Sequence, residues 1–230
     1  MLFRSSNLRT LYLSSNQIDG SGLMHLSGLD ELETLGLSGT EVTDDGLVHL
    51  KGLTNLRDLN LNSSQIDGSG LVHLSGLVNL EVLNLSRTQL TDDGLIHLRG
   101  LMNLRYLNLD GSQIDDSGLV HLSGLIKLEV LTLSHTQLSD DGLIHLRGLT
   151  SLRQLYLGGN QIDGSGLVHL SGMAKLERLG LHQTQLTDAG LVHLAALQKL
   201  QRLNIWKTRV TEAGLQRLKQ FLPELKVPVL

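Results

Sequence analysis

Leucines fall through the chain at spacings of three and two residues, and the pattern returns every 24 residues with no insertion or deletion. The triplets run from Leu8-Leu11-Leu13 through Leu56-Leu59-Leu61, Leu104-Leu107-Leu109 and Leu176-Leu179-Leu181 to Leu200-Leu203-Ile205. A chain copied at this pitch is a stack of supersecondary units, each burying its apolar face against the next. Nine such coils occupy residues 8–222 of the 230, with a minimal segment at 1–7 and a short C-terminal closure at 223–230 that departs from the pattern. One domain over residues 1–230 is expected, since no boundary interrupts the repeat.

Within each coil a step such as Leu83-Asn84-Leu85 alternates apolar and polar, the period of a strand with one buried face. Asn16, Thr40, Ser64, Thr88, Ser112, Thr136, Asn160, Thr184 and Thr208 come three residues after its last apolar member. A small hydrogen-bonding side chain there can satisfy backbone groups as the strand turns inward. Asp19, Thr43, Asp67, Thr91, Asp115, Ser139, Asp163, Thr187 and Thr211 are N-cap formers ahead of a short helix. Gly28, Gly52, Gly76, Gly100, Gly124, Gly148 and Gly172 are expected to end those helices with positive φ. Gly22 and its equivalents through Gly214 lie in the first turn, where glycine is costly, and imply close backbone approach between stacked coils.

Parallel strands need crossover connections, which are right-handed. Strands lie about 4.8 Å apart, closer than helices can pack, so the stack should curve with the strands inside. The expected fold class is α/β: a right-handed solenoid with nine short parallel strands on the concave face and short helices on the convex one. A second period overlies the first. Odd coils carry Gln-Ile-Asp and Ser-Gly-Leu, as in Gln65 to Leu71, and even coils carry Thr-Asp-Asp-Gly-Leu, as in Thr91 to Leu95. Duplication of a two-coil unit and deliberate consensus construction would both produce this.

The spacing Leu-x-x-Leu-x-Leu-x-x-Thr/Asn, held from Leu8 to about Leu222, resembles the leucine-rich repeat superfamily. Segments such as Leu90-Thr91-Asp92-Asp93-Gly94-Leu95 are similar to bacterial, planctomycete-type repeats, and to those of F-box proteins and ribonuclease-inhibitor-like horseshoes. The latter families often place cysteine where this chain has Asn16, Thr40 or Thr88. What the resemblance implies is protein binding by a scaffold whose exposed, variable positions select the partner.

Composition narrows the alternatives. The chain has no cysteine, so disulfides and thiolate metal sites are excluded. A net charge of -4 with interleaved signs gives no reason to expect nucleic acid or an anionic membrane as partner. No apolar stretch approaches the roughly 20 residues of a bilayer span, and Met-Leu-Phe-Arg at the start does not lead into a signal sequence, so the cytoplasm is the default expectation for a complete chain.

The strand face holds the candidate binding residues. At the C-terminal end Tyr156, Arg178, His182, Arg202, Trp206 and Lys207 gather residue types that dominate binding energy. Trp206, the only tryptophan, is expected to point outward, either contacting a partner or covering the end of the core. A secondary patch comprises Asp58, Asn60, Asn84, Tyr106, Asn108 and Asp110, equally readable as a solvated face with an asparagine ladder.

Histidine recurs at one helix position from His25 to His193, with no neighbouring carboxylate or cysteine to complete a zinc set. Packed neutral rings bonding backbone groups are expected there, with pKa values pulled below about 6.5. Arg9, Glu33, Arg57, Glu81, Arg105, Glu129, Arg153 and Glu177 alternate in sign, one per coil, and should pair across the sheet. Neither a nucleophile–base arrangement nor a phosphate loop stands out, so the expected function is a non-catalytic protein or peptide scaffold without cofactor or metal. The alternatives are a structural spacer within a larger protein and, less favoured, an enzyme. The seven residues before Leu8 are too few to cap the first coil, so its edge could stack end to end against another subunit.

Overall fold

Each apolar triplet forms a strand only three residues long. Among residues 7–228, which the computed structural model describes, the strands are β1 (Thr10–Tyr12), β2 (Thr34–Gly36), β3 (Asp58–Asn60), β4 (Val82–Asn84) and β5 (Tyr106–Asn108). They continue as β6 (Val130–Thr132), β7 (Gln154–Tyr156), β8 (Arg178–Gly180) and β9 (Arg202–Asn204). All pair in chain order in one sheet, and every pairing is parallel. Leu59 stands opposite Leu83 and Leu83 opposite Leu107, so the sequence period is also the strand register. The middle residue of each strand from β2 to β9 is buried and forms one wall of a continuous leucine core.

A second backbone contact joins every pair of neighbouring coils. Glu41, Gln65, Gln89, Gln113, Gln137, Gln161, Gln185 and Arg209 donate their N–H groups to Ile18, Val42, Ile66, Leu90, Ile114, Leu138, Ile162 and Leu186, at 2.8–3.0 Å. Between the two ladders lie the small polar residues that follow the strands. Thr40, Ser64, Thr88, Thr136 and Thr184 are buried, and each hydroxyl donates to the carbonyl three residues back, as Thr88 does to Leu85 at 2.7 Å. Asn160 donates to the carbonyls of Leu133 and Leu157 and accepts from Leu138 N–H, tying two coils together.

A three-residue strand in a 24-residue coil leaves room for one or two helical turns. Most are 3₁₀, such as Asp44–Leu50 and Ser69–Leu74, and short pieces are α-helical, α1 (Asp92–Leu95) and α2 (Asp188–Leu191). The ninth coil ends in a full helix, α3 (Glu212–Phe221).

Capping follows the expectation in part. Thr211 caps α3 through its own side chain, accepting from Gly214 N–H at 3.1 Å, and Asp19, Asp67, Asp115 and Asp163 each accept from the N–H two residues on, but Thr43, Thr91 and Thr187 make no capping bond. At the starts led by Asp67 and Asp163 a second carboxylate comes from the preceding coil. Asp140 accepts from the backbone of Asp163, Gly164 and Gly166, and Asp44 does the same for Asp67, Gly68 and Gly70. A carboxylate reaching across the junction serves helix start and coil contact together.

The glycines explain the two-coil period. At three of the four odd-to-even junctions backbone meets backbone, as where a Cβ on Gly94 would lie 2.8 Å from the Gly68 Cα; the exception is Gly142, which Asp116 covers. At even-to-odd junctions an aspartate covers the glycine, as Asp92 covers Gly118. The helix-ending series also needs correction. Of those seven glycines only Gly28 has positive φ. The others leave the helix through a further turn, such as that closed by Leu77 N–H on the Leu74 carbonyl at 2.9 Å, whose central residues keep negative φ. The left-handed position lies elsewhere, two residues beyond the last apolar strand position. It is occupied by Ser15, Gly39, Ser63, Arg87, Gly111, His135, Gly159, Gln183 and Lys207, with φ of 54–71°.

The ends differ. Leu8, Leu11 and Leu13 are only partly buried, whereas Leu32, Leu35 and Leu37 in the next coil are fully so. At the other end Leu215, Leu218, Leu222 and Leu225 are buried, and the backbone of Lys226 pairs with β9. The minimal N-terminal segment lies, apart from Asn7, outside the described residues, as do residues 229–230.

Candidate functional site

The first and third residues of each strand and one in the turn beyond face away from the core and form three rows, in which most side chains are at least partly exposed and Gly36, Gly180, Ser86, Ser134 and Gly158 are covered by neighbours. The first row runs Thr10, Thr34, Asp58, Val82, Tyr106, Val130, Gln154, Arg178 and Arg202. Register places Arg178 directly against Arg202, and both are exposed. Lys226, which continues the row by pairing with Arg202, escapes a reading that stops the repeat at Leu222. Adding 24 to Arg202 would have found it.

The second row holds Asn60, Asn84, Asn108, Tyr156 and Asn204. Its asparagines face their own chain. Asn60, Asn84 and Asn108 each accept from the backbone N–H two residues on at 3.0 Å, and Asn204 accepts from Trp206 N–H at 3.2 Å. These bonds steady the turn that leads into the left-handed residue. Thr132 adds a short hydroxyl bond to the Asn108 carbonyl oxygen, and the Asn108 amide donates to the Tyr106 hydroxyl at 3.4 Å. Much of the secondary patch is thereby committed to holding the sheet edge. Asp58 is half-buried, and burial pushes its carboxyl pKa up.

Tyr156 lies across the bare backbone of Gly180, where a Cβ would come within 2.8 Å of the ring, and its hydroxyl donates to Gln154 Oε1 at 2.9 Å. In the third row, past the strand ends, His182 fills the space above Gly158, and a Cβ there would overlap its ring. The His182 ring meets that of His135 edge-on, with centroids 5.9 Å apart. Burial lowers the His182 pKa, the neighbouring His135 lowers it further, and Asp110 opposes the shift. One Asp110 oxygen and His182 Nδ1 are buried without hydrogen-bond partners among the described residues. His135 and His182 both stand outside the repeated histidine series in the sequence, but spacing does not show that their rings meet, which they do only across the gap left by Gly158 and Gly159.

Trp206 is 44% exposed, and Lys207 Nζ lies 4.2 Å from its ring centroid. The end of the core is closed by leucines instead, from α3 and the segment after it. Tyr156, Arg178, His182, Arg202, Trp206 and Lys207 thus form a band over β7, β8 and β9, with the arginines at the strand starts and Trp206 and Lys207 past the strand ends. A cavity of about 200 Å³ opens on the helical side, lined by Leu191, Val192, Ala195, Leu218 and Phe221 among others.

The repeated histidines do not bond backbone groups: among the described residues no imidazole of the series makes a hydrogen bond, and His121 Nδ1 is buried without a partner. Burial lowers the His121 pKa, Arg99 adds to the effect, and Asp92 and Asp93 oppose it. The alternating ladder pairs as expected. Arg57–Glu81 and Arg105–Glu129 close to 2.6 Å within two-coil units, and Arg105–Glu81 spans 3.6 Å between them. Such exposed pairs contribute about 0–1 kcal/mol each.

Profiles described as leucine rich repeat match residues 102–162 and residues 4–27, 52–75 and 77–98. Comparison with curated proteins finds no match. Among solved structures, internalin C2 from Listeria monocytogenes is 28% identical with a TM-score of 0.72, over 88% of this chain and 80% of that one. A leucine-rich repeat protein from Leptospira interrogans is 25% identical with a TM-score of 0.82 over 97% of this chain, which spans 55% of the length of that protein. A further Listeria monocytogenes internalin, 23% identical with a TM-score of 0.53, covers 96% of this chain and 80% of its own, and shares the fold alone.

Proposed function

From its leucine-rich repeat fold, we propose that the chain is a non-catalytic platform that binds a protein or peptide on its strand face, through Tyr156, Arg178, His182, Arg202, Trp206 and Lys207. The observation that carries this reading is the exposed aromatic and cationic band on a sheet whose backbone is fixed by two hydrogen-bond ladders. A partner meeting such a surface need not first order a loop, and avoiding that cost raises affinity for a given contact. Most other outward positions of the sheet are small, or turned onto their own backbone as the asparagines are. Trp, Tyr and Arg supply contact energy where a flat polar face cannot.

The test is to identify a partner by pull-down from the source cell and measure its affinity for Trp206→Ala and Arg178→Ala chains that melt like the parent. Loss of about 1–2 kcal/mol in either variant is expected. A partner that binds both as tightly as the parent removes this site, whatever becomes of the scaffold reading.

The first coil supports a second reading. Leu11 and Leu13 lie partly exposed where every later equivalent is buried, and among the described residues no strand pairs with the outer edge of β1. End-to-end association of two copies through this face would bury both. Sedimentation over a range of concentrations tests it, and a single monomeric species at the highest concentration counts against it.

A further inference from the structure

We propose that Arg178, Arg202 and Lys226 form a receptor for an acidic peptide segment. This rests on the strand-face reading and names the partner's chemistry.

The chain supplies its own control. In the neighbouring row each of Arg9, Arg57, Arg105 and Arg153 has a glutamate within ion-pair distance on the next coil. Alternation of sign keeps like charges from facing one another across a spacing of about 4.8 Å. One position along, the rule is reversed. Arg178 stands against Arg202, and Arg202 against Lys226, three cations at the same strand position on successive coils. All three are exposed, and among the described residues none has a carboxylate within 4.0 Å. Like charges directly opposite one another weaken a sheet. Here the two backbone ladders hold them together, so an anion that bridges them relieves a repulsion already present.

Geometry selects the anion. The cations follow one another at strand spacing, about 5 Å, along a line across the sheet. An extended peptide laid on that line brings every second side chain to the same face at roughly 6.6–7 Å, within the reach of long arginine and lysine side chains. Each arginine can grip one carboxylate with two parallel N–H bonds. Asn204 at the end of β9 and Trp206 beyond it offer contact to the residues between. A nucleic-acid strand would be drawn by the same charges, but Asp58 and Asp110 share this face, and the chain's net charge is -4. A track of phosphates would need a longer positive stripe.

The test uses the full chain and two labelled peptides of about twelve residues, one alternating Glu and Tyr, the other with Gln in place of every Glu, read by fluorescence anisotropy. The glutamate peptide should bind about tenfold more tightly at low salt, and added salt should narrow the difference. Arg178→Gln, Arg202→Gln and Lys226→Gln together should abolish the preference while leaving the glutamine peptide unchanged. Trp206→Ala should weaken both peptides. Equal binding of the two peptides overturns the inference, as does a preference that survives in the triple variant, or no binding of the glutamate peptide at about 1 mM. An oligothymidylate that displaces the glutamate peptide more effectively than unlabelled peptide does also overturns it, in favour of a nucleic acid. If both peptides bind equally and Trp206→Ala weakens both, the acidic partner fails but the strand face stands. If Trp206→Ala and the triple variant leave both peptides unaffected, the face itself is wrong. Single Arg→Gln variants and their melting curves separate lost binding from lost fold.

Discussion

Gly94 and Gly76 show how differently one residue type can be used within a single repeat. A Cβ on Gly94 would meet Leu90 Cδ1 at 2.6 Å and the backbone of Gly68 at 2.8 Å, and the backbone cannot turn aside as a side chain can. Gly94→Ala should therefore cost about 1–3 kcal/mol in a urea titration. Gly76 has open space around the same added atom and does not adopt positive φ. Gly76→Ala should be neutral or stabilise by about 0.4–1 kcal/mol, and equal losses in the two variants would contradict this account of the glycines. The histidines give a pH dependence narrower than a uniform ladder would. His121 and His182 have lowered pKa values, burial being the main cause in each. A folded pKa below the unfolded value keeps stability whole above about 6.5 and lets it fall as pH drops through the folded pKa. Unfolding measured at about pH 7.5 and pH 5.5 should show a loss at the lower pH that His121→Gln with His182→Gln reduces. A loss identical in parent and double variant would assign the effect to other groups.

At the scale of the element, the leucine triplets were fully legible: spacing gave strand, face, partner and order, because one register repeats at every junction. The return segments were less so. Asp67 and Asp163 bond their helix starts as read, but Asp44 and Asp140 reach the same starts from the preceding coil, and a single coil's pattern does not show what reaches into it. The left-handed turn was missed for a related reason, since Arg87, His135, Gln183 and Lys207 are not residues that advertise positive φ. In the candidate site, Arg178 beside Arg202 follows from the offset alone, whereas His182 above Gly158 depends on a rotamer and on a missing Cβ in the neighbouring coil. The best-determined element supports the firmest expectation. Leu107 is fully buried in the middle strand, and Leu107→Ala leaves a cavity that neighbouring coils cannot close without breaking register. A loss of about 2–5 kcal/mol is expected, and a denaturation midpoint that does not move would refute it.

At the scale of the whole molecule, each coil packs on its neighbours, with the His135–His182 contact reaching one coil further, so stability is close to a sum along a line. Protection against hydrogen exchange should be greatest near β5 and β6, remain substantial at β9 beneath α3, and be least at β1. Uniform protection from β1 to β9 would show that the stack opens as a single unit. The two alternating kinds of junction carry a further consequence, for inheritance. Excising residues 57–104 in frame would place Glu33 opposite Arg105 and bring Asp44 over Gly118, which Asp92 covers in the parent. Excising only 57–80 would set Glu33 against Glu81 and Asp44 against a glycine whose own partner is Gly68. The longer deletion should fold and the shorter should melt at lower temperature, despite keeping more of the chain. Recombination between copies of the repeat should therefore lengthen or shorten this protein at least cost in steps of two coils, because charge alternates from Arg9 to Glu177 and because glycine and aspartate alternate at every seam but that between the fifth and sixth coils.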